Sequence, residues 1–292
     1  MNRILLVCLV ALFPIFLFAQ NAEIGLQFGA SGYSGDITPS TKYLSTGDNH
    51  ASLGIFGRVD LNRFLAARAS FTYGKISGSD ANAESQGLRN RNLSFQSTIT
   101  ELAVVGEFNP LGNNSLGRKL KPYLYGGVAL FHFNPEANYD GRLVALQPLG
   151  TEGQGIDGFG DKYRLTQISI PLGAGVRYQI TERINLGFDV GIRKTFTDYL
   201  DDVSGSYVNY NDLLAGNGTV AAALGNRSGE LLGEGNEPVI VSTGATRGNS
   251  DKKDWYYTAG VTLSYQFYGN GKRNYKGRNP TGKEFGCPST RF

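Results

Sequence analysis

The sequence predicts an all-β protein, an eight-stranded antiparallel up-and-down transmembrane barrel with long external loops. Three observations predict it. The first is composition: 40 of 292 residues are Gly, and 16 Tyr and 17 Phe bring aromatics to 12%. This mixture suits strands and turns rather than a helical bundle. The second is period two: eight segments carry apolar residues on one face and Gly, Ser, Thr, Gln and charges on the other, the outward-apolar, inward-polar pattern of a membrane barrel. The third is that the links between segments alternate between short and long.

The chain opens with a targeting segment. Asn2-Arg3 is a short positive region, Ile4 to Phe18 is almost unbroken apolar sequence, and Ala19-Gln20 follows. Residues 1–19 read as a secretory signal peptide. Cys8 sits inside the apolar run behind the bulky Val7, which argues against a lipoprotein signal. No later stretch reaches the roughly 18 apolar residues of a spanning helix, so membrane entry requires a barrel. Cleavage leaves Cys287 alone, either a free thiol or one half of an intermolecular disulfide.

The barrel is expected over 20–267. The first segment, Glu23 to Ala30, sets Ile24, Leu26 and Phe28 against Glu23, Gly25 and Gln27. The second, Ser52 to Asn62, sets Leu53, Ile55, Val59 and Leu61 against Ser52, Arg58 and Asp60. The third, Leu65 to Gly74, opposes Phe71 and Tyr73 to Arg68, Ser70 and Thr72. The fourth, Ser97 to Asn109, opposes Leu102, Val104 and Phe108 to Glu101, Ala103 and Glu107. The fifth, Pro122 to Phe133, is apolar on both faces, with Tyr123, Tyr125, Phe131 and Phe133 on one and His132 on the other. The sixth, Gln167 to Ile180, opposes Ile168, Leu172 and Val176 to Ser169, Gly173 and Arg177. The seventh, Arg183 to Thr195, opposes Leu186, Phe188 and Ile192 to Gly187, Asp189 and Arg193. The eighth, Trp255 to Phe267, opposes Val261, Leu263 and Phe267 to Thr258, Thr262 and Ser264.

Links after the second, fourth and sixth segments are short or moderate, and those after the first, third, fifth and seventh are long. Even parity then places both termini in the periplasm. An eight-stranded barrel is filled by its own side chains, so a conducting pore is not expected. Inward Glu23, Arg58, Asp60, Arg68, Glu101, Glu107, Arg177, Asp189 and Arg193 read as pairs across a closed lumen rather than an ion path, because unpaired they would be costly. A soluble two-sheet sandwich shares the period and stays open as an alternative.

Chemistry-bearing motifs are sparse. With His50 and His132 as the only histidines, a zinc site lacks ligands and no His pair stands four residues apart. His132 reads as a satisfied interior histidine rather than a catalytic base. Gly153, Gly155 and Gly158 match a dinucleotide fingerprint without the strand and helix it needs. Asp198, Asp201 and Asp202 could hold calcium, but solvated loop acids fit them better than an EF-hand does. No catalytic residue, cofactor or metal is expected. Residues 268–292 form a basic tail, with Lys272, Arg273, Lys276, Arg278, Lys283 and Arg291 against Glu284. Nucleic acid is a poor partner for an exported chain, so the tail reads as a solvated end or a periplasmic docking arm.

Several blocks also resemble a known family. They are Tyr73-Gly74-Lys75-Ile76-Ser77-Gly78-Ser79-Asp80, Arg91-Asn92-Leu93-Ser94-Phe95 and the run Leu146 to Gly155. Gln167 to Pro171, Arg193 to Ser204, Arg247-Gly248-Asn249 and Asp254-Trp255-Tyr256 belong with them. Together they resemble the Bacteroidetes outer-membrane barrel family, often described as a domain of unknown function, that includes the type IX secretion protein PorG. The resemblance implies a non-enzymatic subunit embedded in outer-membrane lipid. Its implied partners are a periplasmic ring lipoprotein (PorK-like) and that protein's ring partner (PorN-like), with a role in protein secretion and, in gliding species, motility. It carries over no catalytic residues. The candidate ring contacts are read from charge, Arg118, Lys119, Lys121, Lys272, Arg273, Lys276, Arg278 and Lys283, together with Cys287 as the thiol the tail would bring to a partner for an intermolecular disulfide. The competing reading is an OmpA-like or adhesin-like barrel that binds an external ligand through its long loops. A lipid-modifying or proteolytic barrel would need a His-based site that the sequence hardly supports.

Overall fold

The computed structural model describes residues 21–37, 48–113, 119–233 and 238–268. Nine strands form one antiparallel sheet: β1 (Asn21–Ser34), β2 (Asn49–Asp60), β3 (Leu65–Ser79), β4 (Ser94–Phe108), β5 (Leu120–Tyr139), β6 (Arg142–Ala145), β7 (Thr166–Gln179), β8 (Ile184–Thr195) and β9 (Trp255–Tyr268). Along the wall each strand pairs with the next, β5 with β7 in place of β6, and β1 pairs with β9, so the sheet closes on itself. Eight strands make the wall. The ninth, β6, pairs only with the outer end of β5 across a tight turn at Asp140-Gly141, both with positive φ. Closure leaves the wall without an edge, as a bilayer requires.

The two faces settle the environment. Leu53, Leu102, Leu124, Val128, Ile168, Phe188 and Leu263 point outward from six strands and are 48–61% exposed, with Val128 at the upper limit. An apolar surface encircling the whole wall is untenable in water. It is the lipid-facing belt of a membrane barrel, which excludes the soluble sandwich. Phe108, Tyr178, Tyr265 and Phe267 border the belt at one end, and Tyr73, Phe196 and Trp255 at the other. The inner face buries Ser52, Arg58, Thr72, Glu101, Glu107, Asp189, Thr262 and Ser264.

The fifth segment resolves its ambiguity by turning its aromatics inward. Tyr123, Tyr125, Phe131 and Phe133 fill the lumen, while Leu124, Val128 and Leu130 face lipid. His132 also faces outward and is exposed, its Nδ1 lying 3.0 Å from Thr166 Oγ1. It is therefore not the interior histidine expected from sequence. Glycines opposite the tyrosines make the filling feasible: a Cβ at Gly173 or Gly191 would collide with the Tyr125 ring, and one at Gly175 with Tyr123.

Strands continue beyond the expected ends, furthest on the long-loop side; on the short-turn side β1 starts at Asn21 and β5 at Leu120. β3 runs on to Ser79 and β5 to Tyr139, and β4 begins at Ser94. The intervening loops add the short helices α1 (Gln86–Arg91), α2 (Tyr210–Asn217) and α3 (Thr219–Gly225). A core of Ile37, Ile76, Leu93, Phe95, Phe131, Phe133, Leu200, Val203, Leu224 and Tyr256 joins these loops to the barrel mouth. The long loops thus fold into a cap. The short links β2–β3 and β7–β8 lie at the opposite end, together with the start of β1 and the end of β9. Among the described residues no helix is long and apolar enough to cross a membrane.

Candidate functional site

Among the described residues, the buried polar chemistry lies in the lumen and its cap. The lower layer of the lumen centres on Arg58 and Glu107. Arg58 Nε donates to Glu107 Oε2 at 2.7 Å, and its Nη1 pairs with Asp60 Oδ1 at 2.7 Å. Arg68 joins Glu107 at 3.3 Å and Asp189 at 2.8 Å, and Arg177 joins Glu107 at 3.3 Å and Glu23 at 3.5 Å. Glu23 also accepts from Ser264 and Asn185. Alternation along β1, β2, β3, β4, β7 and β8 aims all of these at one axis, so oppositely charged groups from six strands converge. The guanidiniums of Arg68 and Arg177 lie 4.6 Å and 5.0 Å from the ring centres of Tyr125 and Tyr123. The upper layer is separate: Arg193 grips Glu101 through Nε at 3.0 Å and Nη2 at 3.2 Å, while Tyr256 O–H donates to the same carboxylate at 2.6 Å. The inward charges therefore pair across a filled lumen.

At the short-turn end the β4–β5 link folds inward. Asn113 accepts from Arg58 Nη2 at 2.8 Å and donates to the carbonyls of Asn62 and Leu65. Lys121 is half-buried and donates to the Asn113 carbonyl at 2.8 Å. Lys119 is exposed beside it, its carbonyl accepting from Gln179 N–H at 2.8 Å. Both lysines share this end with the barrel termini. Arg118, Lys272, Arg273, Lys276, Arg278, Lys283 and Cys287 lie outside the described residues, as do the signal segment and the tail.

The cap is built on two buried arginines that the sequence reading did not single out. Arg91, at the end of α1, makes a two-pronged pair with Asp80, both bonds at 2.7 Å. Its remaining donors reach the carbonyls of Arg247 at 2.6 Å and Asp36 at 2.8 Å. Arg247 in turn donates to Glu152 Oε1 at 2.9 Å and to the carbonyls of Asp202 at 2.7 Å and Gly225 at 3.1 Å. Four loops from distant sequence are thereby tied together. The available signal was that Asp80, Arg91, Glu152 and Arg247 all fall inside the blocks carrying the family resemblance.

The acidic trio corrects a sequence expectation. Asp198, Asp201 and Asp202 are buried, not solvated. Asp201 accepts from Tyr33 O–H and from the Ile37 and Val203 amides at 3.2 and 2.9 Å. Asp202 accepts from Thr151 and from Tyr163 O–H at 2.6 Å, and Asp198 from Ser204 O–H at 2.7 Å. Asp254 takes the Leu200 amide at 2.9 Å. Burial raises all four above the ordinary carboxylate range, Asp198 and Asp202 to about 6. Repulsion from Asp201 raises Asp254 further, and repulsion from Asp36 raises Asp201. Among the described residues no three His, Cys, Asp or Glu side chains converge to hold a metal. Gly153, Gly155 and Gly158 adopt positive φ in consecutive turns of the β6–β7 loop, with no phosphate-binding helix behind them.

A model of the family described as "Domain of unknown function (DUF6089)" matches residues 2–221. The chain belongs to this family. No curated protein matches it. Solved structures similar to this DUF6089 barrel include Ail, the attachment invasion locus protein of Yersinia pestis. Ail is 10% identical, over 85% of this chain and 98% of that one, with a TM-score of 0.39. Neisserial surface protein A is 10% identical over 84% and 97%, with a TM-score of 0.41. Outer membrane protein W of E. coli is 10% identical over 84% and 98%, with a TM-score of 0.35. The barrel architecture of the DUF6089 chain rests on its own closed strand pairing.

Proposed function

We propose that this protein is a non-enzymatic subunit of a type IX protein secretion apparatus. It would sit in the outer membrane with both termini periplasmic, anchoring or stabilising a PorK/PorN-like ring. The observation that carries the reading is the plugged lumen: salt-bridged side chains fill a barrel whose wall is intact and lipid-facing. Such a barrel offers no route for solute. What it offers is a rigid membrane anchor with two usable ends. At the short-turn end Lys119 is exposed, at the same end of the barrel as the close of β9 at Tyr268. A basic surface there suits acidic patches on a ring protein, where it would favour orientation and rate of association. The sequence blocks that resemble the PorG family support the secretion assignment.

Deletion of the gene tests this. Export of many proteins should fail, and the full chain should restore it. A chain ending at residue 268 should restore the barrel but less of the ring association. Normal export in the deletion strain would reject the secretion role. The folded cap favours a second role on the opposite face, the binding of an external ligand.

A further inference from the structure

The cap carries a cleft of about 870 Å³ between α1, the 246–253 turn and the outer ends of β1 and β9. Its lining includes Arg91, Arg247, Lys252, Lys253, Tyr207 and Trp255. Four cationic side chains line it with one carboxylate, Asp36, which is already bonded to the Asn249 amide at 2.8 Å; two of the four, Arg91 and Arg247, are paired with Asp80 and Glu152. Three donors remain for a ligand. Arg247 is buried and committed through Nε and Nη1, yet its Nη2 donates to no acceptor among the described residues. The exposed Lys252 ammonium has no partner among the described residues. Lys253 is exposed and gives one bond, to the Ser250 carbonyl at 2.8 Å, leaving further donor capacity.

One guanidinium and two ammoniums lining the same cleft suit a tetrahedral oxyanion of two charges. The rest of the lining is amphipathic: two aromatic side chains, with the amides of Asn90 and Asn249 and the Ser228 hydroxyl. Aromatic faces with amide donors and a hydroxyl acceptor suit a sugar ring. The volume lies in the range of small-molecule sites. We propose that this cleft binds a phosphorylated sugar. Two sources share that chemistry, a free sugar phosphate and the headgroup of a phosphoglycolipid in the adjoining leaflet. Ser34 pairs with Trp255 at the barrel rim, so the cleft opens where such a headgroup would lie. The proposal is independent of the secretion reading, because it uses the opposite end of the barrel.

The test is titration of the full chain and of K252E/K253E, both exposed positions, with heat-modifiable migration on gels confirming that each barrel is folded. One arm uses detergent-solubilised protein with glucosamine 1-phosphate and with inorganic phosphate. The other uses nanodiscs containing diphosphorylated lipid A, against nanodiscs with the dephosphorylated lipid. Binding in either arm that weakens at least about tenfold in the variant and falls with salt supports the site. The soluble arm then identifies a free ligand, and the nanodisc arm alone a lipid one. N90W, which narrows the cleft without changing its charge, should weaken binding as well. No binding in either arm, or equal binding by wild type and K252E/K253E, would overturn the proposal.

Discussion

Glu101 and Arg193 form an isolated charge pair in the upper lumen, which makes them the sharpest probe of the plug. Their side chains are 2% and 7% exposed, and among the described residues Glu101 is the one carboxylate that pairs with Arg193. The variant E101Q keeps an acceptor for Tyr256 O–H but leaves a guanidinium buried without a counter-charge. Breaking a buried pair from one side costs about 3–5 kcal/mol. R193M leaves Glu101 stranded and should cost a similar amount. The double variant removes both charges, so its loss should be confined to weakened bonds at Tyr256 and Thr258, about 1–3 kcal/mol. The two losses are therefore strongly non-additive, with a coupling of at least about 3 kcal/mol. Urea unfolding in lipid vesicles reads this directly, because Trp255 is the only tryptophan and adjoins Tyr256. Single variants that each cost under about 1 kcal/mol, or a double variant equal to the sum of the singles, would show that water already screens the lumen. The sealed-plug argument would then fall.

Three further outcomes follow from the same geometry. G191A must push a methyl against Tyr125 in a filled lumen, and overpacking of this kind should lower stability by about 1–3 kcal/mol in the same urea assay. R91A should release the loops tied to Asp80, Asp36 and Arg247 by about 3–5 kcal/mol, giving rapid proteolysis within 196–254 while heat-modifiable migration persists. The raised carboxylates of the cap give a signed pH effect. Their folded forms hold protons more tightly than unfolded ones, so their contribution is complete below the ordinary range near about 4. It fades as pH rises through about 6 for Asp198 and Asp202, and at higher pH for Asp201 and Asp254. Hydrogen exchange across 196–233 should therefore speed up from pH 5 to pH 8 beyond its intrinsic rate, and D202N should flatten the trend.

The barrel was legible because lipid on one side and a narrow lumen on the other impose a strict period of two. Ile184 to Thr195 shows this most clearly, with every second residue exposed. The inward charges were legible for the same reason, since Arg58, Glu107, Arg177 and Asp189 occupy polar-face positions that a closed lumen must neutralise. Pro122 to Phe133 was not assignable, because lipid and the cap core both select apolar side chains there. His132 shows the consequence: it sits at the outer rim, where the wall no longer has to be apolar. The cap escaped the reading for a different reason. Its acids are buried by partners distant in sequence, 168 residues away in the case of Tyr33 and Asp201, and no local pattern reports such a contact. Strand extension to Ser79 and Tyr139 was hidden likewise, since those residues are covered by loops rather than by lipid and water.

Co-purification from native membranes tests the central claim most directly. A tagged full chain, extracted in mild detergent that leaves the periplasmic ring intact, should bring down a ring lipoprotein and its partner, and neutralising Lys119 together with the basic residues of 268–292 should reduce their recovery. Repeated recovery of the barrel alone, with an intact ring elsewhere in the same extract, would contradict the account.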